Sequence, residues 1–179
     1  LAEFYKTQPR VHIDVHEDSS QRLLPLLLNG GLDAVFCREP VLLPASYVFK
    51  PLQSDEPVIM ASTRHPLAKR RGIALSALKD SRWVLPTATI AVREIFEREV
   101  LAALPDALQF PVSTVSLPVF ASLLNQPDAV ALVPQSIAPV LPSGAQLCQL
   151  DVQLSRPLPP LGVAPRSEQI PAMLIRMLK

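Results

Sequence analysis

Hydrophobic positions along this chain fall into short runs of two periods, separated by polar or proline-bearing turns. Residues 11–17, VHIDVHE, alternate, with Val11, Ile13 and Val15 on one side and His12, Asp14 and His16 on the other. That pattern predicts a strand covered on one face. SSQRLLPLLLNGG then predicts a helix, with a serine at its start and Gly30 or Gly31 past its end. Pro25 falls within about a turn of that start, where a missing N–H does least harm. LDAVFC is continuously apolar, the pattern of a strand covered on both faces. Strand, helix and strand within about thirty residues predict a right-handed parallel unit.

Beyond the loop REPVLLPAS, YVFKPL and EPVIMAS predict two more strands. TRHPLAKRRGI is a basic loop, ALSALK a short helix and WVLP a short strand. VREIFEREVLAAL has helical spacing, with Val92, Ile95, Phe96 and Leu101 inward. FPVSTV predicts a strand, SLPVFASLLNQ a helix, AVALVP a buried strand and QSIAPVL a helix. QLCQLDVQL and LPPLGVAP follow as strands, and QIPAMLIRMLK as a closing helix. At the other end, LAEFYKTQ has the spacing of a helix tail stopped by Pro9, so a preceding segment is expected. The alternation runs twice, with a break near residues 56–66. Two α/β lobes joined by crossing segments account for this: residues 1–58 with 157–179, and residues 59–156.

Composition narrows the function classes. At 179 residues and 49% hydrophobic content, the chain can bury one ordinary core or two small ones. Its 17 basic and 16 acidic residues leave a net charge of +1, no general reason to expect nucleic acid or an anionic membrane as partner of these residues. No apolar run approaches the roughly 20 residues of a membrane span, and LAEFYKTQPR lacks the plan of a signal peptide, so a soluble chain is expected. Cys37 and Cys148 lie far apart in unlike contexts, which favours reduced, buried thiols over a bridge or a metal site, and hence the cytoplasm.

The ordered set DSSQRLLPLLLNGGLDAVF, EPVIMASTRHPLAKRRGIALSAL, WVLP and AVALVPQSIAPVL resembles the effector-binding domain of LysR-type transcriptional regulators over nearly the whole chain. The resemblance implies two Rossmann-like lobes joined by crossing strands, the type 2 periplasmic-binding-protein architecture, with a small effector held between them. It also implies an amino-terminal winged helix-turn-helix domain that binds DNA, assembly as a homodimer or homotetramer, and no cofactor. One departure stands out: Gln126, Pro127 and Asp128 replace the glycine-rich turn usual before the ALVP strand.

Candidate chemistry concentrates where predicted strands meet predicted helices. A nucleophilic role for Ser19 or Ser20 needs a nearby base and usually a glycine-flanked elbow, and neither is present, so no catalysis is expected. A helix start offers instead a hydroxyl cap and unpaired N–H groups for an anion. Thr87, Ala88 and Thr89 before VREIFEREV, and Ser116 before LPVFASLL, are turns of the same kind. Arg38, just after LDAVFC, suits a bidentate carboxylate clamp or a structural pair. Ser19, Ser20, Arg38, Thr87, Ala88, Thr89 and Ser116 therefore form the expected ligand site, suited to a small carboxylate. His12, Asp14 and His16 share one strand face at about 6 to 7 Å spacing, too wide for one ion, so no metal is expected. Arg64, His65, Lys69, Arg70 and Arg71 occupy a single loop without aromatic residues, which favours a solvated loop over a nucleic-acid patch. Two rivals share the fold class: a periplasmic solute-binding protein of a transporter, and an enzyme for which no acid/base pair can be assembled.

Overall fold

The computed structural model describes residues 5–6, 8–141 and 146–166. The chain divides into two compact units, Leu1–Ser54 with Pro159–Lys179, and Asp55–Leu158.

In the first unit, helix α1 (Ser20–Leu28) packs Leu27 against Val35 and Cys37 of strand β1 (Ala34–Arg38) and Ala164 of strand β8 (Leu158–Pro165). Its end is set by Gly30, whose φ of 78° lets its N–H reach Leu27 O at 3.1 Å while Gly31 N–H reaches Leu26 O at 2.8 Å. This pair of bonds is a Schellman cap, and the left-handed position is why a glycine is needed there. Pro25 lies deeper than expected, at the sixth helical residue, so the Gln21 carbonyl loses its partner rather than a spare N–H being absent.

The three-stranded sheet of this unit has the order β1-β8-β2, with β2 spanning Lys50–Asp55, so β8 is its middle strand. Strand β1 runs antiparallel to β8, Ala34 opposite Pro165 and Arg38 opposite Leu161. Two expectations fail here. Residues 11–18 lie in no strand: Val11 and Ile13 are half-buried, while Val15 is 63% exposed and no neighbouring strand takes up their backbone groups among the described residues. Alternation alone cannot make a strand without a partner edge. The expected parallel strand-helix-strand unit is therefore replaced by an antiparallel pairing of β1 with the distant β8. Strand β1 is also covered on one face only, Val35 and Cys37 being buried and Phe36 exposed. At Gly162, a Cβ would run into the Lys50 carbonyl oxygen and the Phe49 ring, so β8 needs a glycine where that segment crosses it.

The second unit holds a five-stranded sheet in the order β5-β4-β6-β3-β7: β3 (Pro57–Ser62), β4 (Arg82–Leu85), β5 (Leu108–Ser113), β6 (Ala129–Pro134) and β7 (Leu147–Leu150). Strand β4 is parallel to both β5 and β6, while β3 is antiparallel to β6 and β7. The apolar runs PVIMAS and AVALVP are buried along almost their whole length because both faces are covered. On one face Ile59, Ala61, Trp83, Leu85, Val130 and Leu132 meet Val92, Ile95, Phe96 and Val100. On the other, Val58, Met60, Val84, Ala131 and Val133 meet Phe120 and Leu124 of helix α4 (Leu117–Leu124). Each such side chain contributes about 1.5–3 kcal/mol on burial.

The helix on the first face runs as α2 (Ala91–Ile95), a π segment (Phe96–Val100) and α3 (Leu101–Ala103). The π segment carries Phe96 onto Trp83, ring centroids 5.2 Å apart in an edge-to-face contact, and Leu101, half-buried, packs against the same core as expected. QSIAPVL, expected as a helix, makes only a 3-10 turn at Ala138–Val140. The closing helix expected at residues 169–179 lies outside the described residues.

Candidate functional site

In the second unit, the topology assembles a set of polar turns. Because β5, β4 and β6 are parallel neighbours, the turns that follow them share one sheet edge, the position where open α/β sheets bind ligands. After β4 come Thr87, Ala88 and Thr89, with the two threonine hydroxyls 3.4 Å apart. After β5 comes Thr114, whose backbone N–H bonds Leu85 O at 3.3 Å and whose hydroxyl accepts the Ser116 N–H at 3.0 Å. Ser116 is exposed at the start of α4; its carbonyl accepts the Phe120 N–H and its hydroxyl makes no capping bond.

After β6 comes Ser136, and with it a residue that sequence reasoning missed. Asp55, the last residue of β2 and only 4% exposed, accepts the Ser136 hydroxyl at 2.6 Å, the Ser136 N–H at 3.1 Å and the Glu56 N–H at 3.1 Å. The Gln135 N–H adds a bond to Glu56 O at 2.8 Å. A buried carboxylate thus fixes the turn at the end of β6. Thr114 was also missed, although a hydroxyl at the end of FPVST was a local signal. Nothing local announces Asp55, whose partner is 81 residues away.

In the first unit, α1 and β1 are joined by residues 29–33 and pack together, so the helix start and the strand end fall at the same end of the pair. Ser19 is extended before the helix, and its hydroxyl makes no capping bond, contrary to the expected hydroxyl cap. The cap is made differently: the Ser19 carbonyl accepts the N–H groups of Arg22 and Leu23 at 2.9 and 3.0 Å, and Asp18 Oδ1 accepts the Ser19 N–H at 2.7 Å. Ser19 and Ser20 are both half-buried. Arg38 donates from Nη1 to the Pro159 carbonyl oxygen at 2.9 Å, so part of its guanidinium does structural work.

The remaining candidates separate from this set. His12 Nε2 lies 3.2 Å from Asp14 Oδ1 on an exposed stretch, and among the described residues no three His, Cys, Asp or Glu side chains are grouped to hold a metal ion. In the basic loop, Lys69, Arg70 and Arg71 are exposed and Arg64 is bound to the Asn125 carbonyl oxygen at 2.6 Å. His65 does not belong with them: it is 6% exposed, and burial pushes its imidazole below the usual range. Cys37 and Cys148 are free thiols, both pushed up by burial. Among the described residues, no helix is long and apolar enough to cross a membrane.

The described residues thus form two α/β units with hydroxyl-bearing turns where strands give way to helices. The family model described as LysR substrate binding domain matches residues 1–176, and the chain belongs to that family. It is 35% identical over 86 residues to the HTH-type transcriptional regulator TtuA of Agrobacterium vitis, a match covering 48% of this chain and 28% of that protein. The chain spans about a quarter to a half of the length of the curated relatives it matches. Its fold is that of the Synechocystis PCC6803 CcmR regulatory domain in complex with 2-PG, with a TM-score of 0.77 at 16% identity, covering 99% of this chain and 84% of that one. The effector-binding domain of QuiR in complex with shikimate gives a TM-score of 0.70 at 18% identity, covering 97% and 83%. These likenesses place the fold in the type 2 periplasmic-binding-like class.

Proposed function

We propose that this chain is the effector-sensing part of a bacterial LysR-type DNA-binding regulator, working in the cytoplasm as a homodimer or homotetramer and responding to a small carboxylate. DNA contact is assigned to a winged helix-turn-helix domain amino-terminal to these residues. The proposed effector contacts are Ser19, Ser20 and Arg38 at the turns of the first unit, and Thr87, Ala88, Thr89 and Ser116 at the turns of the second. One observation carries the reading: the hydroxyls of Ser19 and Ser116 stand at helix starts without making the capping bond usual there, and so keep their hydrogen-bonding capacity for a ligand. Shikimate, found with QuiR, is a small hydroxylated carboxylate of the kind these groups suit.

Binding alters regulation only if the effector favours one arrangement of the regulator over another. Thermal-shift measurements with shikimate, 2-PG and a panel of small carboxylates test the reading, because a ligand at about 100 times its Kd stabilises by about 2.7 kcal/mol. Carboxylates are expected to raise the Tm, and Arg38→Ala to weaken the response about tenfold or more. Stabilisation only by cationic compounds, or an unchanged response in R38A, would overturn the carboxylate assignment.

A further inference from the structure

We propose that His65 is a proton-sensitive latch: while neutral it holds the loop of residues 63–73 closed, and on protonation it releases that loop ahead of the rest of the second unit. Geometry carries this. The His65 Nδ1 accepts the Leu67 backbone N–H at 3.1 Å, which requires that nitrogen to be unprotonated. The proton then sits on Nε2, 3.1 Å from the buried Ser81 hydroxyl, which accepts it. Both ring nitrogens are thus committed in the one neutral tautomer. A second proton on Nδ1 would turn that acceptor into a donor facing the Leu67 donor, inside a site closed to water.

The same residue closes the loop through its backbone. Its N–H bonds Ser62 O at 2.9 Å, and its carbonyl accepts the Ala68 N–H at 2.9 Å. The Arg70 N–H bonds Leu67 O at 3.0 Å, so the next turn leans on the first. At the far end of the loop, Gly72, with φ of 57°, bonds Asp151 Oδ2 at 3.0 Å and Ile73 bonds Asp151 O at 2.8 Å. Between these anchors lie only exposed or half-buried residues, Lys69, Arg70 and Arg71 among them. Opening the His65 end frees only the half-buried Leu67 and Ala68 from the edge of the core, whereas opening β3 or β6 would unpack the whole core.

The charged group that faces His65 is Asp128, which draws the imidazole's proton affinity upward and is itself held by Arg82 at 2.9 Å. Arg64 is bound to the Asn125 carbonyl, and Lys69 and Asp80 are exposed. Burial outweighs Asp128, so the folded imidazole titrates below 6.5. The sign follows: the neutral form is favoured in the closed state, the stabilisation is present above 6.5, and it is lost as pH falls below that value.

The test is amide hydrogen exchange, as protection factors, at about pH 7.5 and pH 5.5. With an open-state imidazole near its ordinary value, loop protection falls by up to about tenfold over that interval. The expected result is a fall at Leu67 and Ala68, with β3 and β6 amides unchanged, and no fall in H65N, which keeps a side-chain acceptor but has no proton to gain. Should H65N not fold, the imidazole is titrated directly in the wild-type chain by NMR, and loop protection must fall over the interval between the ordinary imidazole value and that NMR midpoint. Constant loop protection, an equal fall in β3 and β6, the same fall in H65N, or a fall that lies outside the interval bounded by the NMR midpoint would overturn the proposal.

Discussion

Replacing Asp55 by alanine removes the acceptor of at least three hydrogen bonds at once. The carboxylate is 4% exposed, and its donors are the Ser136 hydroxyl at 2.6 Å, the Ser136 N–H and the Glu56 N–H. A hydrogen bond to a charged group is worth about 1.5–3 kcal/mol net, and orphaned buried donors add a desolvation cost of about 1–3 kcal/mol. These terms do not add, because the freed donors can share one water in the space left behind. A loss of about 3 kcal/mol is the expected total for Asp55→Ala. Ser136→Ala removes only the hydroxyl bond and should cost about 1–2 kcal/mol, and Asp55→Asn, which keeps an acceptor, about the same. The double variant should cost less than the sum of the singles, since both remove the 2.6 Å bond. Urea unfolding followed by tryptophan fluorescence measures this cleanly: Trp83 is the one tryptophan of the chain and is fully buried in the same unit. With a slope of about 2 kcal/mol/M, Asp55→Ala should lower the midpoint by about 1.5 M. A loss under about 0.5 kcal/mol, or strictly additive effects in the double variant, would refute the claim that this carboxylate organises the end of β6.

Two further outcomes follow from the first unit. Gly162→Ala should destabilise it by about 2 kcal/mol or more, since the added methyl meets the Lys50 carbonyl oxygen and the Phe49 ring, 2.8 Å from Cε1 at one point; limited proteolysis of the variant should cut this unit faster than the parent. Ser19→Ala should cost less than about 0.5 kcal/mol, against about 1 kcal/mol for a working hydroxyl cap, because its side chain makes no capping bond; a normal thermal midpoint with weakened carboxylate response is the expected pair of readings.

What was legible in the sequence depended on how local its cause was. AVALVP and PVIMAS read as buried strands because burial on both faces leaves no polar position in the run. The end of α1 was legible because only a glycine sits easily at the left-handed position of its cap. The motifs of the family were also legible, and they carried the fold class with them. What failed was non-local. VHIDVHE alternates as a strand should, but a strand is made by its neighbour, and the pairing that β1 adopts is with β8, 121 residues distant from Arg38 to Pro159. The candidate residues show the same division: the hydroxyls at the starts of α1 and α4 announce themselves, while the bond of Asp55 to Ser136 spans 81 residues. The π segment in the helix at residues 91–103 has helical spacing either way, so its periodicity gave no warning.

The position of β8 in the middle of the first unit's sheet has a consequence for the order of events during synthesis. Strands β1 and β2 have no ladder to each other and wait for β8 to lie between them. That strand leaves the ribosome only after the whole of Asp55–Leu158, an uninterrupted stretch with its own sheet and core. Domains generally fold as units while the chain emerges. The second unit can therefore mature while α1 and β1 are still without their sheet. The residues of α1 and β1 are made before the second unit and secured after it.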